Sequence, residues 1–109
     1  MPKGYWIANV EVRDPEAYRA YIGAAKVAFA KYGGRFLVRA GKHTVVQGDS
    51  KSRQVVIEFK DFATAVACYE SPEYRAAQAL RDSISEGDHV IAEGYDGPQP
   101  GDASEGYIP

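Results

Sequence analysis

The clearest signal along the chain is alternation. From Tyr5 to Val12, Trp6, Ala8, Val10 and Val12 share one side of an extended backbone, while Tyr5, Ile7, Asn9 and Glu11 share the other. That is the period of a β-strand. Asp14-Pro15 then opens a helix, the aspartate as N-cap and the proline at the first helical position, where its missing N–H costs nothing. Tyr18, Ile22, Ala25, Phe29 and Tyr32 recur at steps of four and three and form one apolar stripe. Gly33-Gly34 stops the helix, because glycine accepts the left-handed C-cap geometry. A second strand is predicted over residues 35–40, with Phe36, Val38 and Ala40 on one side and Arg35, Leu37 and Arg39 on the other. Residues 41–48 are expected to bend and extend it, and residues 48–52 to turn. The third strand covers residues 54–60, with Val55, Ile57 and Phe59 opposite Val56 and Glu58. Asp61 caps a second helix carrying Phe62, Val66 and Tyr69. Ser71-Pro72 interrupts it, since proline disfavours helical geometry in the residue before it. A fresh helix carries Tyr74, Ala77, Leu80 and Ile84. Residues 89–95 read as the last strand, with Val90, Ala92 and Gly94 opposite His89, Ile91, Glu93 and Tyr95.

The order strand, helix, strand, strand, helix, strand is the split βαβ arrangement of ferredoxin-like α+β folds: a four-stranded antiparallel sheet with two helices on one face. The helices are expected to cover Trp6, Val10, Phe36, Val38, Val55, Ile57, Phe59 and Val90. The opposite face then carries Tyr5, Ile7, Leu37, Val56, Ile91 and Tyr95 among Asn9, Glu11, Arg39, Glu58, His89 and Glu93. Four strands of about seven residues, ~4.8 Å apart and rising ~3.3 Å per residue, present roughly 440 Å² of sheet. A patch that size with so many large apolar groups is near the upper end for a monomer. A two-fold partner presenting the same face would cover it, so a homodimer packed sheet to sheet is expected over a monomer with a wet face. A standard interface buries about 800 Å² per partner, so the sheet supplies about half and loops the rest.

Composition narrows the picture. The chain has 109 residues, 13 Lys plus Arg against 15 Asp plus Glu, and a net charge of −2. One domain is expected over residues 1–95, followed by a Pro/Gly-rich tail over 96–109 that cannot build a packed element of its own. Tyr107 and Ile108 are expected to dock that tail on a surface. The near-neutral balance argues against a nucleic-acid partner. Charges interrupt every apolar run, so no membrane-spanning helix is expected, and the first residues lack a signal-peptide pattern, which points to the cytoplasm. The single cysteine, Cys68, forms no internal disulfide and reads as a small buried residue.

Several segments in this topology resemble the uncharacterised bacterial family called domain of unknown function 1330. They are Tyr5-Trp6-Ile7-Ala8, Asp14-Pro15-Glu16-Ala17-Tyr18, Phe36-Leu37-Val38-Arg39, Val55-Val56-Ile57-Glu58-Phe59 and Tyr69-Glu70-Ser71-Pro72-Glu73-Tyr74-Arg75. The resemblance runs from about Tyr5 to Gly94 and implies a dimeric α+β barrel. Ala40-Gly41 stands where the family tends to have paired glycines, and Gln47-Gly48 where it often has Glu-Gly. No single activity is implied: the superfamily includes cofactor-free monooxygenases, isomerases, haem enzymes and ligand-sensing domains.

Two constellations carry candidate chemistry. On the second sheet face, Asn9, Arg39, Glu58, His89 and Glu93 form either an interface ion-pair network or a pocket. In the pocket, Arg39 would hold an anionic substrate while Glu58 or His89 moves a proton. Arg39 and Glu58 are expected to pair across adjacent strands. Trp6, Tyr18, Tyr69 and Tyr74 either fill the core or line a second cavity between sheet and helices, suited to an aromatic molecule. His43 and His89, the only imidazoles, lack metal-ligand spacing, and neither metal nor cofactor is expected. Two functions remain: a homodimeric barrel binding a small anionic or aromatic molecule, or a cofactor-independent monooxygenase or isomerase. A cavity of at least ~300 Å³ with convergent polar groups is the mark of the second.

Overall fold

The computed structural model describes residues 2–102. The elements are β1 (Gly4–Val12), α1 (Pro15–Tyr32), β2 (Arg35–Arg39), β3 (Arg53–Phe59), α2 (Phe62–Glu70), α3 (Pro72–Arg81) and β4 (Ser85–Glu93). The four strands form one antiparallel sheet in the order β2-β3-β1-β4, the ferredoxin-like arrangement.

The caps form where the sequence puts them. Asp14 accepts from the Ala17 amide at 3.1 Å, Asp61 from Thr64 at 2.8 Å, and Gly33 closes α1 at φ 72°. Ser71 ends one helix and starts the next: its hydroxyl donates to the Cys68 carbonyl at 2.7 Å and accepts from the Tyr74 amide at 3.1 Å. Trp6 lies at the core's centre, with the rings of Phe29, Phe59, Tyr69 and Tyr74 within 4.8–5.5 Å and its indole N–H donating to the Ala65 carbonyl at 2.8 Å. A buried indole needs such a partner.

The structure departs from the alternation in three places. β2 ends at Arg39 rather than continuing, because Ala40 turns into the left-handed region at φ 55°, a conformation that favours glycine. Residues 40–50 beyond it are exposed. In β2, an irregularity at Leu37 inserts one extra residue: Phe36 faces Ile57, yet Val38 faces Val56 and Arg39 faces Val55. A bulge of this kind exchanges the sides of every residue after it. Val38 therefore sits on the helix-free face, and Arg39 on the helix-covered one. β4 starts at Ser85, and its sides are the reverse of the expected ones: His89 pairs with Ala8 and Ile91 with Trp6 on the inner face, while Val90 pairs with Ile7 on the outer. In α3 the buried positions are Tyr74, Ala77 and Arg81, and Leu80 is exposed.

The helix-free face is thus composed of rows. Val38, Val56, Ile7 and Val90 pair in register across all four strands, a continuous apolar row. Beside it run Arg35, Glu58, Tyr5 and Ala92, where the Tyr5 hydroxyl donates to Glu58 at 3.2 Å and Arg35 lies 3.8 Å from the same carboxylate. On the other flank are Gln54, Asn9 and Asp88.

Candidate functional site

The inner face is floored by small residues where α1 crosses it. One row reads Arg39, Val55, Ala8, His89, and the next reads Arg53, Val10, Gly87. Ala8 leaves room in this floor, whereas Gly87 is closely packed: a Cβ there would meet the Asn9 carbonyl oxygen at 2.7 Å and the Val10 side chain at 3.0 Å. Tyr18, Tyr21, Ala25 and Phe29 of α1 roof the space, and Trp6 and Tyr74 close its back. The result is a cavity of about 330 Å³ between α1 and the sheet.

Its chemistry is asymmetric. Lys26, Arg39 and Arg53 line it, no carboxylate does, and among the described residues none of the three cations forms an ion pair. The Arg39 guanidinium lies 4.2 Å from the centre of the Phe36 ring, and that of Arg53 lies 5.5 Å from Tyr18. The Arg53 Nε is buried without a hydrogen-bond partner. His89 stands at the far edge, three strand spacings of ~4.8 Å, or roughly 14 Å, from Arg39. Burial, and then the positive charge of Arg81, pull its imidazole down to about 4, against the opposing pull of Asp88 and Asp82. It is neutral at pH 7. Burial also raises the Tyr18 and Tyr21 hydroxyls, with the Arg53 charge opposing it at Tyr18, so both stay protonated.

The His89 shift has a measurable consequence. In the unfolded chain this imidazole takes a proton near pH 6.5, but in the fold only near 4. Between those values the unfolded state binds more protons, so stability falls as pH is lowered from 6.5 towards 4. The carboxyls of Asp61, Glu73 and Asp88, held low by hydrogen bonds from Thr64, Lys31 and Lys51 respectively, lose their contributions at lower pH still. Urea midpoints at pH 7 and 4.5 are expected to differ more for the wild type than for His89→Gln. An equal difference in both would assign the effect to other groups.

A model of the family described as domain of unknown function (DUF1330) matches residues 3–95. The chain belongs to the DUF1330 family. None of the curated proteins matches it. Among solved structures, this DUF1330 member is similar to a protein of unknown function from Rhodopseudomonas palustris, with 18% identity, 88% of this chain and 85% of that one covered, and a TM-score of 0.68. It is similar to a dimeric ferredoxin-like protein of unknown function from Thermobifida fusca (18% identity, 84% and 91% covered, TM-score 0.58). It is also similar to SnoaB, a cofactor-independent oxygenase from Streptomyces nogalater (15% identity, 96% and 100% covered, TM-score 0.57). At these identities the likeness shows the shared fold.

In this DUF1330 member the two sequence-predicted constellations are redistributed. Arg39 and His89 leave the helix-free face and line the inner cavity, joining Trp6, Tyr18 and Tyr74. The expected Arg39–Glu58 pair does not form, because the Leu37 bulge puts the two on opposite faces and Arg35 takes its place. Glu58 and Asn9 remain on the helix-free face, Asn9 accepting from the Lys51 amide at 3.2 Å. Glu93 pairs with Gly4, away from that group. Tyr69 packs behind the cavity against Trp6 and Tyr74 and does not line it. Tyr21, Lys26 and Arg53 also line the cavity, beyond the residues that the sequence pattern singles out. Tyr21 falls three residues after Tyr18 and four before Ala25, a spacing that marked it. Arg53 could be placed only by the register of β3.

Cys68 is fully buried, and burial pushes its thiol up to about 12, so the nucleophilic thiolate is not formed. Among the described residues no group of three or more His, Cys, Asp or Glu is placed to hold a metal ion, and no helix is long and apolar enough to cross a membrane. Tyr107 and Ile108 lie outside the described residues.

Proposed function

We propose that this protein works as a homodimer that takes a small anionic, aromatic molecule between α1 and the sheet. The observation that carries the reading is the cavity itself: about 330 Å³, walled by aromatic rings and edged by three cations with no carboxylate among them. That volume is in the range of small-molecule sites. A buried guanidinium N–H without an acceptor costs its desolvation, and an incoming carboxylate offsets that cost with charge-assisted hydrogen bonds. A planar ring suits the space beside Trp6, Tyr18 and Phe29.

The dimer rests on the row Val38, Val56, Ile7 and Val90. Ile7, Val38 and Val90 are 46%, 40% and 56% exposed, an apolar stripe with polar flanks that a two-fold copy of itself would bury. The dimeric character of the T. fusca protein supports this assignment.

The enzymatic alternative, a cofactor-independent monooxygenase or isomerase, has one local support: a neutral imidazole, His89, on the cavity wall. Its pKa of about 4 makes it a weak base. Taking a proton from a phenol of ordinary pKa would cost roughly 8 kcal/mol. The cavity reaches the size expected of an enzyme, but the polar groups that converge on it are cations and a weakly basic imidazole, so binding comes first and the likeness to SnoaB keeps oxygenation as the second reading.

The test uses the single tryptophan, which lines the cavity. Titration with 2-naphthoate is expected to change Trp6 fluorescence saturably, and naphthalene to do so far more weakly. No saturable change with the carboxylate would refute the reading.

A further inference from the structure

The hydroxyl protons behind the cavity do not balance. Arg81 is buried, and its Nε donates to the Tyr74 hydroxyl oxygen at 3.2 Å. The Tyr74 and Tyr21 hydroxyls lie 2.8 Å apart, a contact that consumes one proton whichever of them gives it. No other partner of either oxygen is found among the described residues. If Tyr74 donates to Tyr21, the Tyr21 proton is left over. If Tyr21 donates to the second lone pair of Tyr74, the Tyr74 proton is left over.

Both residues are buried and both line the cavity. Native proteins seldom leave a buried donor unmatched. Arg81 sets the direction. Its cation, only partly balanced by exposed Asp82 at 3.6 Å, occupies one lone pair of Tyr74 and polarises that hydroxyl towards donation. The chain then runs from Arg81 to Tyr74 to Tyr21, and the spare proton is Tyr21's.

We propose that the Arg81–Tyr74–Tyr21 chain supplies a hydrogen-bond donor to the cavity's occupant, which therefore carries a carbonyl or phenolate oxygen as well as its negative group. The proposal rests on the cavity reading and narrows its ligand class. Arg81 does not line the cavity; it is a positioning residue acting through Tyr74.

Two acids of matched shape test it: 9-oxofluorene-2-carboxylate, which has the ketone oxygen, and fluorene-2-carboxylate, which has a methylene there. Calorimetry is expected to give about tenfold tighter binding of the ketone by the wild type. Equal binding of the two is expected in Tyr21→Phe/Tyr74→Phe, since either tyrosine alone still has a proton to give. The carbonyl stretch of the bound ketone should fall below its value in dry aprotic solvent, a readout that stands even where the double variant fails to fold. Arg81→Met should shrink that fall, and an undiminished fall would remove Arg81 from the chain. Equal affinities in the wild type, or an unshifted band, would overturn the proposal and leave the cavity reading in place. Failure of both acids to bind would overturn both.

Discussion

Replacing Arg39 and Arg53 together by methionine is expected to weaken 2-naphthoate binding by about 100-fold or more and leave the association state unchanged. Methionine keeps most of the apolar stem that packs beside Phe36 and Tyr18, so the change is chiefly one of charge. A hydrogen bond to a charged group contributes roughly 1.5–3 kcal/mol. Arg39 is exposed, so the lower end of that range applies to it, and with Arg53 the pair comes to at least about 3 kcal/mol, which corresponds to about two orders of magnitude or more. Both arginines project on the helix-covered side, which is why the dimer should not notice. Unchanged affinity, measured by Trp6 fluorescence, would mean that the cations serve some other purpose.

A lysine at position 7 is expected to leave the chain monomeric where the wild type pairs. Ile7 lies in the middle of the apolar row and is 46% exposed in the single chain, so Ile7→Lys costs the monomer little. In a two-fold interface the change occurs twice, and two unpaired ammonium groups would be brought together away from water. A penalty of at least ~4 kcal/mol, or about 1,000-fold in dissociation constant, follows. Sedimentation velocity reads the outcome, with circular dichroism to confirm the fold. A variant that sediments as a dimer would place the interface elsewhere.

The architecture was legible because each helix carried its own cap and stripe, and each central strand alternated without interruption. The candidate site was legible in its residue types but not in their placement. Strict alternation puts Arg39 on the wrong face because it cannot register one extra residue, and nothing in Phe36-Leu37-Val38 marks a bulge. The reversal in β4 has a different cause. Over residues 89–92 both sides hold apolar groups, so the pattern is ambiguous there. The deciding signal lay earlier: Glu86 and Asp88 alternate with Ser85 and Gly87, and charges facing outward fix the phase. A strand begun four residues too late loses it. The bulge and the reversal both exchange residues between the faces: Arg39, His89 and Ile91 go to the helix-covered side, and Val38 and Val90 to the bare one. The bare face still keeps an apolar row, since Val38 and Val90 lie on it in register with Val56 and Ile7. Pairing of the hydroxyls of Tyr21 and Tyr74, 53 residues apart, depends on the docking of α3 against α1 and has no local signature.

On the proposed reading the sheet divides two tasks: a small molecule held on its helix side, a second copy of the chain on the other. Methyl NMR during a 2-naphthoate titration tests it most directly. The Ala8, Ala25 and Val55 signals are expected to move and saturate together, while those of Ile7, Val38 and Val90 stay in place. Saturable shifts confined to Ile7, Val38 and Val90 would contradict the account, because the acid would then be binding where the partner is meant to sit.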